Sequence, residues 1–239
     1  MTCWILEEII VLEGSTLKSN ARRLCCVKFR DRGDAGVALA EKLGAVIGQN
    51  ADVTAIGIPR GGVILAEIVA RRLGASFDIV IPRKLGAPGN EELAIGAVME
   101  DGTEYINRYL VTALRVPPAY IDEERAREVA EVKRRIQAYR KPAPYSIRGR
   151  TVILVDDGVA TGATVIAAAR WTKKQEPATL VIAVPVAPAQ TIEALKHEAD
   201  MVVALAAPRD FGAVGEFYEE FEPVTDEQVM SIMRARDML

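Results

Sequence analysis

Residues 152–164 read VILVDDGVATGAT: an aliphatic run, Val152 to Val155, two adjacent carboxylates, Asp156 and Asp157, and a short Gly/Thr stretch leading into the helical pattern of Ala163 to Trp171. So short an apolar run, bounded by turn residues, reads as a strand buried on both faces of a parallel sheet. The carboxylates then fall at the carboxyl edge of that strand, where open α/β sheets bind their ligands.

The residues after the strand define what such a ligand looks like. Gly158 and Gly162 permit close backbone approach, Thr161 and Thr164 offer hydroxyl donors, and the following helix aims its free N–H groups and dipole at the loop, an arrangement suited to a phosphate. Carboxylates repel phosphate, so Asp156 and Asp157 must face something neutral and hydroxylated, or a divalent cation. A sugar phosphate satisfies both halves. The nucleotide-binding alternatives lack their residues: a Walker loop needs Lys where Ala163 stands, and no G-x-G-x-x-G occurs.

Two further segments bear on the same chemistry. Ala55 to Gly62, AIGIPRGG, is a second short apolar strand followed by Arg60, Gly61 and Gly62 ahead of an apolar-faced helix. Bare glycine amides beside a guanidinium fork suit a diphosphate, although Pro-Arg-Gly-Gly is also an ordinary turn. Pro82 to Leu93, PRKLGAPGNEEL, is polar and broken by Gly and Pro, which predicts a mobile connection carrying two cations, Arg83 and Lys84; a surface hairpin with solvated charges is the plainer alternative.

The run 152–164 resembles the 5-phosphoribosyl-1-diphosphate (PRPP) signature of the type I phosphoribosyltransferases: a hydrophobic strand, an acidic pair and a T-G-x-T loop, here Thr161, Gly162, Ala163 and Thr164. The resemblance covers roughly residues 28 to 206 and implies an α/β parallel-sheet fold with helices on both faces and a small variable hood. It implies that Asp156 and Asp157 hold the ribose hydroxyls, that Gly158 and Ala160 to Thr164 hold the 5-phosphate, and that Arg60, Gly61 and Gly62 hold the diphosphate, with a cis peptide near Arg60. It implies that a flexible loop bearing Arg83 and Lys84 closes over the diphosphate, with Lys84 acting mainly in turnover. Mg²⁺ is the implied cofactor, met by the two aspartates through water or PRPP, and a homodimer in nucleotide metabolism is the implied setting. In 6-oxopurine members an Asp precedes the T-G-x-T loop, where this chain has Ala160; adenine members, with D-D, two residues, then A-T-G, resemble it more closely.

Strands and helices alternate along the chain as in a parallel sheet. The patterns predict helices near 34–48, 63–73, 118–140, 163–172, 188–198 and 226–236, and strands near 53–58, 77–81, 94–99, 105–111, 151–156, 179–184 and 201–206. A chain of 239 residues with 50% hydrophobic content can bury one good core, giving a phosphoribosyltransferase domain over 27–239 and an extension of unassigned role over 1–26. That extension carries an apolar patch, Trp4 to Leu12, then Lys18, Arg22 and Arg23; an extra strand and hairpin is one reading of it. Near the other end, 210–227 holds seven acidic residues, no basic ones and four aromatics, Phe211, Phe217, Tyr218 and Phe221. These either anchor the segment to the core or, in a hood, stack on an acceptor base.

Several other functions are disfavoured. The net charge of −3 gives no overall case for nucleic acid. Cys3, Cys25 and Cys26 have neither metal nor disulfide spacing, pointing to a reducing cytoplasm, and no run approaches the roughly twenty apolar residues of a membrane span. His197 is the single histidine and lies on a polar helix face, so triad and zinc chemistry have nothing to build on. A non-catalytic PRPP sensor remains the alternative, with the basic stretch Lys18 to Arg32 as its sole candidate DNA contact. PRPP synthesis calls for a tandem pair of such domains, and one signature is present.

Overall fold

The computed structural model describes residues 9–12, 28–47 and 52–239. Its centre is a sheet of six strands: β1 (Ile9–Leu12), β2 (Val53–Gly57), β3 (Ser76–Ile79), β7 (Thr151–Val155), β8 (Thr179–Val186) and β9 (Met201–Ala206), in the spatial order β1-β9-β8-β7-β2-β3. The five strands from β9 to β3 are mutually parallel, and β1 joins the β9 edge antiparallel, Ile10 opposite Val203.

Successive residues of the central strands feed two different cores, which explains their uninterrupted apolar runs. Ile153 and Val155 of β7 pack with α1 (Arg32–Val46) and α2 (Gly61–Leu73), whereas Val152 and Leu154 pack with α5 (Ala163–Lys174) and α6 (Ala189–Lys196) on the opposite face. From β2 the chain crosses through α2 to β3 at one edge; it later returns to β7 on the other side of β2 and builds outward to β8 and β9. The strand order therefore reverses between β2 and β7, and the crevice at their carboxyl ends is the switch point where ligands of such sheets bind.

The predicted helices and parallel strands are all present, and the extended hairpin region departs most from expectation. Pro82 to Leu93 is a hairpin rather than an irregular connection: β4 (Arg83–Ala87) and β5 (Asn90–Val98) pair antiparallel about a turn at Pro88 and Gly89, and β6 (Glu104–Ile106) completes a three-stranded second sheet. Gly89, at φ +73°, supplies the left-handed turn residue. The strand expected over 105–111 also ends early. Asn107 caps a short helix, α3 (Arg108–Ala113), by accepting from the Leu110 amide at 3.1 Å.

The long helix α4 (Pro118–Tyr139) buries Val132 and Tyr139, and also two carboxylates, Glu124 and Glu128, against the β4–β5 hairpin. Glu124 Oε1 accepts from the Gly86 amide at 3.1 Å, and Glu128 Oε2 accepts from Arg83 Nε at 2.7 Å, so both are compensated. A final helix, α7 (Asp226–Ala235), opens with a capping box formed by Thr225 and Gln228 and packs beside α2 and α4. Of the extension over 1–26, residues 9–12 are described; Cys3, Lys18, Arg22, Arg23, Cys25 and Cys26 lie outside the described residues. No described helix is long and apolar enough to cross a membrane.

Candidate active site

The two strand-to-helix loops singled out in the sequence are brought side by side because β2 and β7 are neighbours in register, Gly57 opposite Val155. Between them opens a cleft of about 260 Å³ lined by Pro59, Pro82, Lys84, Asp156, Asp157, the loop from Gly158 to Gly162, Thr164 and Val214. The Pro59–Arg60 peptide is cis.

Close backbone approach explains the paired glycines. A Cβ at Gly62 would lie 2.5 Å from the Val155 carbonyl oxygen and 2.8 Å from the Asp156 Cα, and one at Gly61 would collide with the Asp157 carboxylate. Gly162 caps α5 at φ +81°, turning the chain so that the first amides of α5 face the cleft. Val159 N donates to the Val186 carbonyl at 2.9 Å and Thr191 Oγ1 to the Ala160 carbonyl at 2.6 Å, which fasten the loop to β8 and α6.

The carboxylates occupy different surroundings. Burial raises the Asp156 carboxyl well above the usual aspartate range, the neighbouring Asp157 charge adds to the shift, and Lys84 and Arg32 oppose it. Asp157 is also raised by burial but is held back by Arg32, whose Nε donates to Asp157 Oδ2 at 2.7 Å. The Tyr218 hydroxyl, itself raised by burial and the nearby Asp157 charge, donates to the Asp157 carbonyl at 2.5 Å. Two half-buried carboxylates with one dedicated cation leave the site short of positive charge, which a metal would supply.

The expected cations are placed unevenly. Lys84 lies on β4, exposed, its side chain bordering the cleft. Arg83, one residue earlier, is engaged by Glu128. Arg60 stands at the start of α2, half exposed, with Nη1 3.4 Å from Asp226 Oδ1 on α7. A second, wider cavity of about 440 Å³ adjoins the cleft beyond Lys84, bounded by Arg60, Arg83, Arg127 and Arg135 together with Glu91, Glu92, Glu124 and Glu128. His197 is exposed at the far end of α6.

Arg32 and Val214 were given no place in the site from sequence, and Tyr218 was singled out only as a hood aromatic. Arg32 comes from the first turn of α1, and Tyr218 and Val214 come from the carboxyl-terminal segment, which lies across the cleft edge. Arg32, within the basic stretch read as a candidate DNA contact, is turned inward and only 11% exposed. The aromatics of 210–227 chiefly anchor that segment. Tyr218 is buried against Phe29, Phe221 stacks on Tyr218, and Phe211 stacks on Phe217.

A parallel sheet whose switch point joins a Gly/Thr loop, an acidic pair and a Gly-Gly loop places the chain among open α/β proteins with a crevice at the carboxyl ends of their strands. Residues 35–220 match the family model described as the phosphoribosyl transferase domain, and the chain belongs to that family. It is 38% identical over 206 residues to proteins from two strains of Mycobacterium tuberculosis, CDC 1551 and H37Rv, both described only provisionally as phosphoribosyl transferases. That match covers 86% of this chain but 46% of theirs, so the chain spans about half the length of these curated relatives. Among solved structures, the protein TT1426 from Thermus thermophilus superimposes with a TM-score of 0.71 at 46% identity, covering 86% of this chain and 97% of that one.

Proposed function

We propose that this phosphoribosyltransferase transfers the 5-phosphoribosyl group of PRPP to a nitrogenous acceptor, a nucleobase by preference, and releases diphosphate. The observation that carries the reading is the adjacency of Asp156 and Asp157 to both the Gly158–Thr164 loop and the Arg60–Gly62 loop across the β2/β7 crevice. One loop receives the 5-phosphate, the other the diphosphate, and the carboxylates between them receive the ribose hydroxyls.

The acceptor nitrogen forms a bond to the anomeric carbon as the bond from that carbon to the diphosphate oxygen breaks, through a transition state in which the ribose carries positive charge. Asp156 and Asp157 stabilise that charge and fix the ring; Lys84 and Arg60 draw off the negative charge of the departing diphosphate. Arg83 braces the hairpin by donating from Nε to Glu128, and it also lines the wider cavity beside Lys84.

Among the described residues no group of three or more His, Cys, Asp or Glu could hold a metal by itself. The acidic pair nonetheless fits a hard divalent cation whose other ligands are substrate oxygens, which supports Mg²⁺ as a companion of PRPP. When bound, Mg²⁺ neutralises diphosphate charge. A homodimer working in the cytoplasm completes the proposal, supported by the family resemblance and the low cysteine content; the domain of 27–239 is joined by the extension's Ile9–Leu12, which adds a strand to its sheet.

Titration calorimetry with PRPP and Mg²⁺ tests the reading, with Asp157→Asn as the variant and His197→Ala as the control. Binding by wild type and control, with marked weakening by Asp157→Asn, is expected. Absence of PRPP binding to the wild type would overturn the proposal. A diphosphate-release screen over purines and pyrimidines then separates an enzyme from a PRPP sensor, which would bind without turnover.

A further inference from the structure

Arg32 lies outside the three loops that form the cleft, yet its guanidinium reaches Asp157, one of the residues lining it. Nε donates to Asp157 Oδ2 at 2.7 Å, Nη1 donates to the Glu222 carbonyl at 2.7 Å, and the guanidinium carbon sits 3.8 Å from the centre of the Phe221 ring. The two charged side chains are 11% and 15% exposed, so the pair is shielded from solvent screening. Each contact uses a different feature of arginine: one nitrogen for the carboxylate, another for a carbonyl, and the flat face for an aromatic ring.

The segment held by the second and third contacts forms one wall of the cleft. Val214 lines the cleft directly and Tyr218 donates to the Asp157 carbonyl, whereas Phe221 lies behind the lining. The β-type contacts of Phe29 and Arg30 with Phe217, Glu219 and Glu220 tie the same segment to the residues just before α1. Arg32 is thus the side chain through which the Asp157 carboxylate and the wall segment meet.

We propose that Arg32 is a positioning residue that ties the Phe221–Glu222 stretch to the Asp157 carboxylate, so that ribose binding at Asp157 and placement of the Val214 wall are energetically linked. The inference rests on the phosphoribosyl-transfer reading above. Linkage of this kind is reciprocal: whatever loosens the wall weakens ligand binding at Asp157, and ligand binding at Asp157 tightens the wall.

A lysine at this position retains the charge for Asp157 but offers neither the second planar nitrogen for Glu222 nor the flat face for Phe221. The experiment is therefore a double-mutant cycle read by PRPP calorimetry in the presence of Mg²⁺, using wild type, Arg32→Lys, Phe221→Leu and the double variant, each checked for folding by circular dichroism. Phe221→Leu is expected to weaken PRPP binding about three- to tenfold in the wild-type background and less than about twofold in the Arg32→Lys background, as for contacting residues in one network. In the release assay both single variants should raise the acceptor KM more than they lower kcat, a split that a general loss of stability does not produce. Hydrogen exchange on the unaltered protein provides a second arm: PRPP with Mg²⁺ should slow exchange of the amides from Val214 to Glu222. Additive losses in the cycle, or exchange over 214–222 indifferent to PRPP, overturn the tie while leaving the transferase reading intact. Failure of the wild type to bind PRPP overturns that reading and this inference with it.

Discussion

Gly62 approaches Val155 so closely that a Cβ added to it would stand 2.5 Å from the Val155 carbonyl oxygen. The contact joins the start of α2 to the end of β7 and fixes the spacing between the two ligand loops. Gly62→Ala should therefore force the strand end that carries Asp156 away from α2, costing about 1–3 kcal/mol of stability as overpacked sites do. PRPP affinity should fall with it. Gly44, exposed on α1, is the contrast, because a Cβ there would meet Leu73 Cδ2 at an ordinary 3.5 Å. Gly44→Ala should stabilise by roughly 0.5–1 kcal/mol and leave PRPP binding unchanged. Thermal melts with parallel calorimetry check both, and equal effects of the two substitutions would contradict the packing argument.

Asp156 sets stability against function. Its carboxyl is raised by burial and by the Asp157 charge, so the folded chain binds a proton there more tightly than the unfolded chain does. Between the ordinary aspartate value and the raised folded value, stability declines as pH rises, and the penalty is fully present above the folded value. Asp156→Asn removes the charge while keeping an oxygen for the Asp157 amide, which now donates to Asp156 Oδ1 at 2.9 Å. The variant should melt higher than wild type at about pH 8, and the gain should shrink toward about pH 5. It should also bind PRPP at least about tenfold more weakly, the loss of a charge-assisted contact. A variant less stable than wild type at the higher pH would show that the carboxylate is net stabilising.

Lys84 pairs across the hairpin with Ala97, on a strand whose next residue, Leu85, is fully buried. On the proposed function, a cation carried by a paired strand would meet the diphosphate in the ground state as well as in the transition state. Lys84→Ala should accordingly raise the PRPP KM several-fold and lower kcat together, in contrast to the turnover-only effect expected of a loop that closes late. Steady-state kinetics at saturating acceptor decides between them; a fall in kcat with unchanged KM would mean that the hairpin moves during the cycle.

What could be read from the sequence follows from where side chains face. The strands around Val53 to Gly57 and Thr151 to Val155 are buried on both sides, so they carry no charged residue and the loops beyond them stand out. The β4–β5 hairpin presents Arg83, Lys84, Glu91 and Glu92 to cavities, and that polarity hid its strand character behind a Pro-Gly turn. Asn107 hid α3 in the same way, since a single capping oxygen decides where β6 stops. Arg32 left no local signal at all. Its partners are 125 and 190 residues away, and a basic residue in the first turn of a helix reads as solvated until the fold turns it inward.

The acceptor is where the sequence and the cleft argue together. The resemblance assigns 6-oxopurine members an Asp just before the T-G-x-T loop, positioned to exchange a proton with the purine ring, and Ala160 stands there in this chain. No other acid compensates nearby, because Asp156 and Asp157 are the sole carboxylates lining the cleft among the described residues, and Arg32 already engages Asp157. The Ala160 carbonyl accepts from the Thr191 hydroxyl, and a carbonyl cannot supply the missing acid. General acid–base contacts of this type are worth roughly a hundredfold or more in rate. Hypoxanthine and guanine should therefore be poor acceptors, and any purine activity should favour adenine, whose family members share the D-D, two-residue, A-T-G spacing found from Asp156 to Gly162. Comparing kcat/KM for adenine, hypoxanthine, guanine, uracil and orotate at fixed PRPP measures this directly. Efficient use of hypoxanthine would mean that an acid from the Asp210 to Glu227 segment swings into the cleft, and Glu216, Glu219 and Glu220, all exposed there, would be the residues to replace first.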